Sequence, residues 1–196
     1  MPRTVGTTAE DTRARILDVA LELVTERGYA GTSIRDLAER LHLTTAAIYY
    51  HFASKEALLD ALVAPLTGGL DELAAAAGTG QLSDRELLTR LVGLLTGPAA
   101  RALPVLMSDP SASRQLRTRM APLAVVESIV RDLAGSDDQL DLLRASCAVA
   151  VVHGAVIRSA LDHRRGVRWT GFEPDEASVV VGAALAALHS QPAPGP

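Results

Sequence analysis

Apolar residues recur at intervals of three and four along most of this chain, which is the spacing of amphipathic helices. No segment shows the strict alternation of apolar and polar residues that marks a strand, so the predicted fold class is all-α. The first helical segment opens with a capping-box pattern at residues 8–11 and stops at Gly28. It predicts a helix of about five turns.

Two short helices joined by a tight turn are predicted next. Thr32 is the expected N-cap of the first and Thr44 of the second, while Ile48 and Phe52 anchor the second inward. The apolar stripe of the first short helix comprises Ile34, Leu37, Ala38 and Leu41. This build is typical of a helix-turn-helix, in which the second helix enters the major groove of DNA.

The same stretch resembles the DNA-binding signature of the tetracycline-repressor (TetR) family. Three segments carry the resemblance: 32–38 (TSIRDLA), 48–52 (IYYHF) and 54–59 (SKEALL). His42 stands where these proteins commonly have Gly, so we expect either a slightly strained turn or a His42 that faces the DNA backbone. The resemblance implies an N-terminal three-helix helix-turn-helix domain at residues 1–55 and a larger C-terminal helical ligand-binding and dimerisation domain at residues 56–191.

The exposed side chains of the second short helix are the candidate DNA contacts. Small residues at its start allow close approach to base edges, and hydroxyl, imidazole and ammonium groups can donate to phosphates. The predicted base contacts are Thr45, Ala46, Ala47 and Tyr49. The predicted phosphate contacts are Thr32, Arg35, Thr44, Tyr50, His51 and Lys55. The alternative, a generic helical hairpin packed into a larger core, gives no reason to expose adjacent tyrosines beside the only lysine of the chain.

The net charge of −4 is unexpected for a protein that binds DNA. Residues 1–55 hold seven basic and seven acidic side chains, and the rest of the chain holds twelve and sixteen. DNA affinity is therefore expected to depend on the placement of Arg35, Lys55 and helix N-termini, with weak non-specific binding.

Turn signals divide the remaining chain into further predicted helices. Residues 66–69 are expected to interrupt or bend a long helix that starts at Ser54 and ends before Gly80. A capping box at 83–86 opens a helix to about Thr96, and a short helix ends at Met107. The later segments are 111–134, kinked or broken at Pro122, then 137–163 and 174–190, followed by a disordered tail at 192–196.

The last two predicted helices are apolar nearly all the way round and rich in small residues. Such helices must be covered on every side, either by a partner chain or within the monomer core. The resemblance implies a four-helix homodimer interface, so that two copies bind a near-palindromic double-stranded DNA operator. The predicted interface residues are Ala148, Val152, Gly154, Ala155, Val180, Ala184 and Leu188.

The resemblance also implies a small-molecule effector bound among residues 87–161. Because aromatic residues make up only 3% of the chain, we expect a mainly aliphatic wall and an apolar effector. The predicted pocket residues are Leu91, Leu103, Leu106, Met107, Leu123, Val126, His153, Arg158 and Trp169. Simpler roles stay open for three of them: His153 at an interface, Arg158 in an ion pair and Met107 in the core.

The sequence favours no enzyme, cofactor or metal site. It contains no nucleophile elbow, glycine-rich phosphate loop, metalloprotease motif or paired-cysteine spacing, and the five histidines form no pair four residues apart. We expect no membrane span and no signal peptide, and the single Cys147 fits a reducing cytoplasm. A transcriptional repressor is the predicted function; a related activator, or a helical interaction module without a ligand, is the alternative.

Overall fold

The computed structural model describes residues 8–119, 122–163 and 171–191, and within these ranges it holds ten α-helices and no strand. This confirms the predicted all-α class. The helices are α1 (Ala9–Arg27), α2 (Ile34–Leu41), α3 (Thr45–His51), α4 (Lys55–Ala77), α5 (Asp84–Thr96), α6 (Pro98–Ser108), α7 (Pro110–Arg119), α8 (Pro122–Ala134), α9 (Gln139–His163) and α10 (Pro174–Leu188). The tail predicted at 192–196 lies outside the described residues.

Helix α1 begins and ends as its sequence predicts. The Thr8 hydroxyl accepts from the Asp11 N–H at 3.0 Å, and the Asp11 carboxylate accepts from the Thr8 N–H at 2.9 Å. At the other end Gly28 has a φ of 77°, a conformation that glycine adopts at little cost. The helix buries Ile16 and Ala20, with Leu23 and Val24, on one face.

The N-cap of α2 is Ser33, so the prediction of Thr32 was wrong. Ser33 forms a capping box with Asp36, whereas Thr32 is buried and its hydroxyl donates to the Gly28 carbonyl at 2.9 Å. The predicted apolar stripe of α2 is buried, and His42 ends the helix with left-handed φ and ψ of 55° and 40°. Most L-residues avoid this region, so His42 carries a backbone strain that glycine would not.

Helix α4 runs unbroken from Lys55 to Ala77, so the interruption expected at residues 66–69 is absent from this helix. Close packing against α5 requires a glycine at position 69. A Cβ atom at this position would collide with the side chain of Leu94 on α5. The missing side chain lets the two helices approach closely.

The chain divides into two compact units. The first comprises Met1–Pro65 and Ala102–Arg119, and the second comprises Leu66–Arg101 and Met120–Pro196. Residues distant in sequence therefore join the three N-terminal helices in the first unit. The domain boundary predicted after residue 55 stays a prediction.

The second unit is built around α9 and α10. Helix α10 packs along α9 and against α5, and α9 also contacts α8 and α5. Small residues, including Ala145 and Ala148 on α9 and Ala184 on α10, are fully buried where these helices meet. The predicted break at Pro122 is found, because α8 begins at that residue.

One described helix is long and apolar enough, taken by itself, to cross a membrane. It is the 21-residue segment Gln139–Ser159 of α9. The expectation of no membrane span did not foresee this segment, because the charges at Asp141, Arg144 and Arg158 are spaced widely enough to leave a long apolar window. Length and composition alone do not distinguish such a segment from a helix that packs against protein.

Candidate nucleic-acid interface

Helix α3 presents a small, open surface at its first turn. The Thr44 hydroxyl accepts from the Ala47 N–H at 3.1 Å, which confirms Thr44 as the N-cap. Thr45 and Ala46 are exposed, and Ala47 is half-buried. Ile48 and Phe52 are buried beneath them, as predicted. The helix is thus held from one side while its N-terminal end stays free to approach a partner.

Two adjacent tyrosines dominate the rest of the exposed face of α3. Tyr49 is 51% and Tyr50 is 82% exposed, which is high for large aromatic side chains. The Tyr50 ring meets the His51 ring edge-on, with centroids 5.2 Å apart. Both phenolic hydroxyls can therefore donate to an external acceptor, and the contact with His51 limits the rotation of Tyr50.

The cations of α2 are held by exposed ion pairs. Arg35 Nε lies 2.9 Å from Glu39 Oε1, and Arg40 Nη2 lies 3.3 Å from Glu26 Oε1. Exposed pairs of this kind contribute only about 0–1 kcal/mol, so a phosphate can replace Glu39 beside Arg35 at small cost.

Lys55 makes contacts within the protein that the sequence does not reveal. Its ammonium donates to the Tyr29 carbonyl at 2.6 Å and lies 4.1 Å from the centroid of the Tyr29 ring. Partial burial lowers the pKa of Lys55. Lys55 thus fastens the start of α4 to the segment after α1, and its contact with a phosphate stays a prediction.

Tyr29 forms the other half of this contact. Its side chain is buried, and among the described residues its hydroxyl has no hydrogen-bond partner. Burial, assisted by the carboxylates of Glu56, Asp109 and Asp60, raises the pKa of Tyr29 to about 12. The phenol therefore stays neutral throughout the physiological range.

Thr32 does not belong to the exposed surface. Its hydroxyl donates to Gly28 and its N–H donates to the Tyr29 carbonyl at 3.2 Å. Because both of its donors are engaged and the residue is buried, the predicted phosphate contact at Thr32 is not supported by the structure.

Two contacts of the first unit were missed by the sequence analysis. The Arg13 guanidinium lies over the Phe52 ring, 4.4 Å from its centroid, and Asp109 accepts a hydrogen bond from the Ala30 N–H. A weak signal for Arg13 exists, because it stands three residues before the buried Ile16 on the same face of α1. No sequence signal links Asp109 to Ala30, since 79 positions separate them.

The predicted pocket residues fall in both units. Leu103, Leu106 and Met107 belong to the first unit, whereas Leu91, Val126, His153 and Arg158 belong to the second. Leu91 and Leu106 are buried, but Met107, His153 and Arg158 are exposed, so Met107 is not a core residue. Trp169 and the side chain of Leu123 lie outside the described part of the chain.

The second unit contains a cavity of about 520 Å³ with a different lining. Polar and charged side chains line it, among them Asp84, Asp132, Arg144 and His189. It contains none of the predicted pocket residues. The apolar effector pocket therefore stays a prediction.

The predicted dimer face needs a correction. Ala148, Val152, Ala184 and Leu188 are buried within the second unit itself, so these four are core residues of one chain. Gly154 is exposed, and Ala155 and Val180 are half-buried. An apolar pattern all round a helix does not show which side its own chain covers. The predicted interface residues therefore include both buried core positions and exposed ones.

The exposed side of α9 and α10 carries a different row of apolar residues, here called the apolar stripe. On α9 it comprises Leu143, Cys147, Ala150, Gly154 and Ile157, and on α10 it comprises Val179, Gly182 and Ala186. The intervals alternate between three and four residues, which is the spacing of helices that pack lengthwise against other helices.

Comparison with known proteins places the helix-turn-helix in a described family. Residues 16–62 match the family of bacterial regulatory proteins called the tetR family. The chain is 39% identical over 61 residues to the HTH-type transcriptional repressor KstR2 of Rhodococcus jostii. These 61 residues cover 31% of this chain and 28% of KstR2. It is 40% identical over 76 residues to the HTH-type transcriptional regulator TtgR of Pseudomonas putida, covering 39% of this chain and 36% of TtgR.

These matches span about a third of the length of the curated relatives. The fold likeness is more extensive. The crystal structure of AmtR from Mycobacterium smegmatis superposes with a TM-score of 0.68 at 24% identity, covering 98% of this chain and 92% of AmtR. At this identity the superposition shows a shared fold.

Proposed function

We propose that this chain, which belongs to the tetR family of bacterial regulatory proteins, binds a near-palindromic DNA operator as a homodimer and represses transcription until a small molecule releases it. The observation that carries the proposal is the surface of α3, where two exposed tyrosines follow a first turn of small residues. The relatives matched by this segment are named as transcriptional regulators, which are not enzymes.

In this proposal the first turn of α3 enters the major groove. Thr45 supplies one hydroxyl and Ala46 and Ala47 supply methyl groups, which suit contacts with thymine methyls more than with hydrogen-bonding edges. Tyr49 adds a base contact beside them. Few polar groups face the bases, so DNA shape contributes much of the discrimination.

Phosphates on either side would fix the position of α3. The proposed donors are the exposed hydroxyls of Thr44 and Tyr50, the His51 imidazole, and the cations Arg35 and Lys55. Residues 1–55 have no excess of basic over acidic side chains, so each phosphate contact matters more than it would in a strongly basic protein.

The homodimer is proposed to form through the apolar stripe. Val179 is 72% and Ile157 is 45% exposed in the single chain, and both lie among small residues that permit close helix packing. A two-fold interface on α9 and α10 would give the protein two copies of α3, as a near-palindromic operator requires.

The effector is proposed to bind among the helices between residues 87 and 161 and to be mainly apolar. It must favour a conformation whose two α3 helices no longer match the operator. The name of KstR2 as a repressor supports the negative sign of control. A cytoplasmic location follows from the same proposal, because the operator lies in the cell interior.

An electrophoretic mobility-shift experiment with the DNA that flanks the gene of this protein tests the proposal. The control variant is Ala46→Glu, which places a carboxylate at the exposed N-terminal turn of α3. A negative charge there suits the helix dipole but is repelled by DNA. We expect specific binding by the wild type and none by a folded Ala46→Glu variant. Equal binding by both proteins, or by neither, would refute the proposed interface.

A further inference from the structure

Arg13 occupies an unusual position among the cations of the first unit. Its guanidinium lies 4.4 Å from the centroid of the Phe52 ring, so it joins the second turn of α1 to the residue that ends α3. Phe52 is 2% exposed, whereas Arg13 is exposed. The guanidinium therefore covers a buried ring on one side and faces solvent on the other.

The contact with Phe52 does not itself engage the N–H groups of the Arg13 guanidinium. A guanidinium over an aromatic face is held by its charge and by stacking, while its five N–H groups remain available to acceptors around its edge. Within the described part of the chain, Arg13 has neither an acidic partner nor a backbone carbonyl partner.

The other cations near α3 differ in this respect. Arg35 is paired with Glu39, Arg40 with Glu26, and the Lys55 ammonium donates to the Tyr29 carbonyl. Arg35 and Arg40 must exchange or share a carboxylate before they bind an anion, whereas the Tyr29 carbonyl engages only one of the three N–H donors of Lys55. Arg13 needs no such exchange, and the contact with Phe52 already restricts its side chain, so it loses less conformational freedom on binding.

We propose that Arg13 binds a backbone phosphate of the DNA and that Phe52 holds its guanidinium in position for this contact. The inference rests on the proposed DNA binding and adds a residue outside the helix-turn-helix sequence. Phe52 directly follows His51, a proposed phosphate donor, so the phosphate-binding row would continue from the end of α3 onto α1.

The test is the salt dependence of DNA binding by Arg13→Met. Methionine keeps a long apolar side chain over Phe52 and removes the charge. We expect binding to weaken by about tenfold near physiological salt, which is about 1.4 kcal/mol, because a charged hydrogen-bonded contact is lost. The slope of log K against log salt should become shallower by about one for each bound subunit. The loss should be similar on operator and on unrelated DNA, because phosphates carry no sequence information.

Two further variants separate a phosphate contact from a packing role. Arg13→Lys keeps the charge without a stackable plane, so it should retain most of the salt slope while binding more weakly than the wild type. Arg90→Met removes one exposed positive charge from α5 in the second unit and should change neither quantity.

The result that overturns the inference is an Arg13→Met protein with the wild-type salt slope. If that protein also had a lower thermal stability than the wild type, Arg13 would serve only to cover Phe52. Either result leaves the proposed function standing, because that function is judged by whether the wild type binds the operator.

Discussion

The Asp109 carboxylate accepts a hydrogen bond from the backbone N–H of Ala30 at 2.7 Å, which ties the junction of α6 and α7 to the segment that precedes α2. The other oxygen of the same carboxylate accepts from the Ser111 N–H at 2.9 Å and from the Ser111 hydroxyl at 2.6 Å. One side chain therefore caps α7 and fixes the entry to the helix-turn-helix. The hydrogen bond links the position of this junction to the segment before α2.

Asp109→Ala should destabilise the protein and also weaken operator binding. Loss of a helix cap costs about 0.5–2 kcal/mol, and the Ala30 N–H loses its acceptor as well. The matched control is Asp138→Ala, because Asp138 accepts from the Leu140 N–H at 2.8 Å at the start of α9 in the second unit. Denaturant titration should show a loss in both variants, whereas DNA titration should show one only for Asp109→Ala. Equal DNA binding by the two variants would contradict a role for Asp109 in positioning α2.

Asp109 should also make stability depend on pH under acidic conditions. Its hydrogen bonds lower the pKa of the carboxyl from 3.8 to about 2 in the folded protein. A depressed pKa means that this stabilisation is complete above about pH 4 and disappears as the pH falls through 2. Other capping carboxylates titrate in the same direction, so the informative quantity is the difference between wild type and Asp109→Asn. That difference should shrink steadily between pH 4 and pH 2, and a constant difference would contradict the assignment.

Lys55→Met should lower the free energy of unfolding by about 1–2 kcal/mol, because it removes a charged hydrogen bond to the Tyr29 carbonyl and a cation–π contact. The sequence alone predicted only a phosphate contact for Lys55, without these contacts inside the protein. Tyr50→Phe is the surface control: it removes one exposed hydroxyl, so stability should change by less than about 0.5 kcal/mol while operator binding weakens. Calorimetric unfolding and DNA titration of both proteins would distinguish the two effects.

Charged substitutions on the apolar stripe should separate the subunits without unfolding them. Ile157→Lys and Val179→Lys each place an ammonium at a position that is exposed in the single chain but would be desolvated in the proposed interface. Sedimentation analysis should show folded monomers. Met107→Lys, an exposed apolar position of the first unit, should remain dimeric. Dimers of wild-type affinity in both stripe variants would move the interface elsewhere.

Local chemistry explains why the first three helices were predictable. Four features depend only on residues within one or two turns: the capping box of α1, the buried apolar residues of α2, the cap at Thr44 and the left-handed His42. Even there, the sequence could not decide between Thr32 and Ser33 as the N-cap of α2. Only the folded chain shows that the Gly28 carbonyl takes the hydroxyl of Thr32 and leaves Ser33 as the cap.

Contacts between distant segments could not be predicted in the same way. The contacts of Asp109 with Ala30, and of Gln115 with Asp60, depend on how the chain returns to its N-terminal helices. Only Gly154 of the apolar stripe is among the predicted interface residues, for a related reason. When nearly every position of a helix is apolar, the sequence carries no signal for which side its own core covers.

The middle of α4 has a consequence for how this helix opens. Pro65 lacks a backbone N–H, and Gly68 and Gly69 follow it, so this part of the helix has low intrinsic helical propensity. Gly69 is required by the nearness of Leu94, but a Cβ atom at Gly68 would meet nothing within 4 Å. Amide hydrogens around residue 68 should therefore exchange with deuterium sooner than those of the neighbouring interior turns of α4. An alanine at position 68 would slow that exchange, so a single methyl group at this glycine would set how readily the helix opens locally.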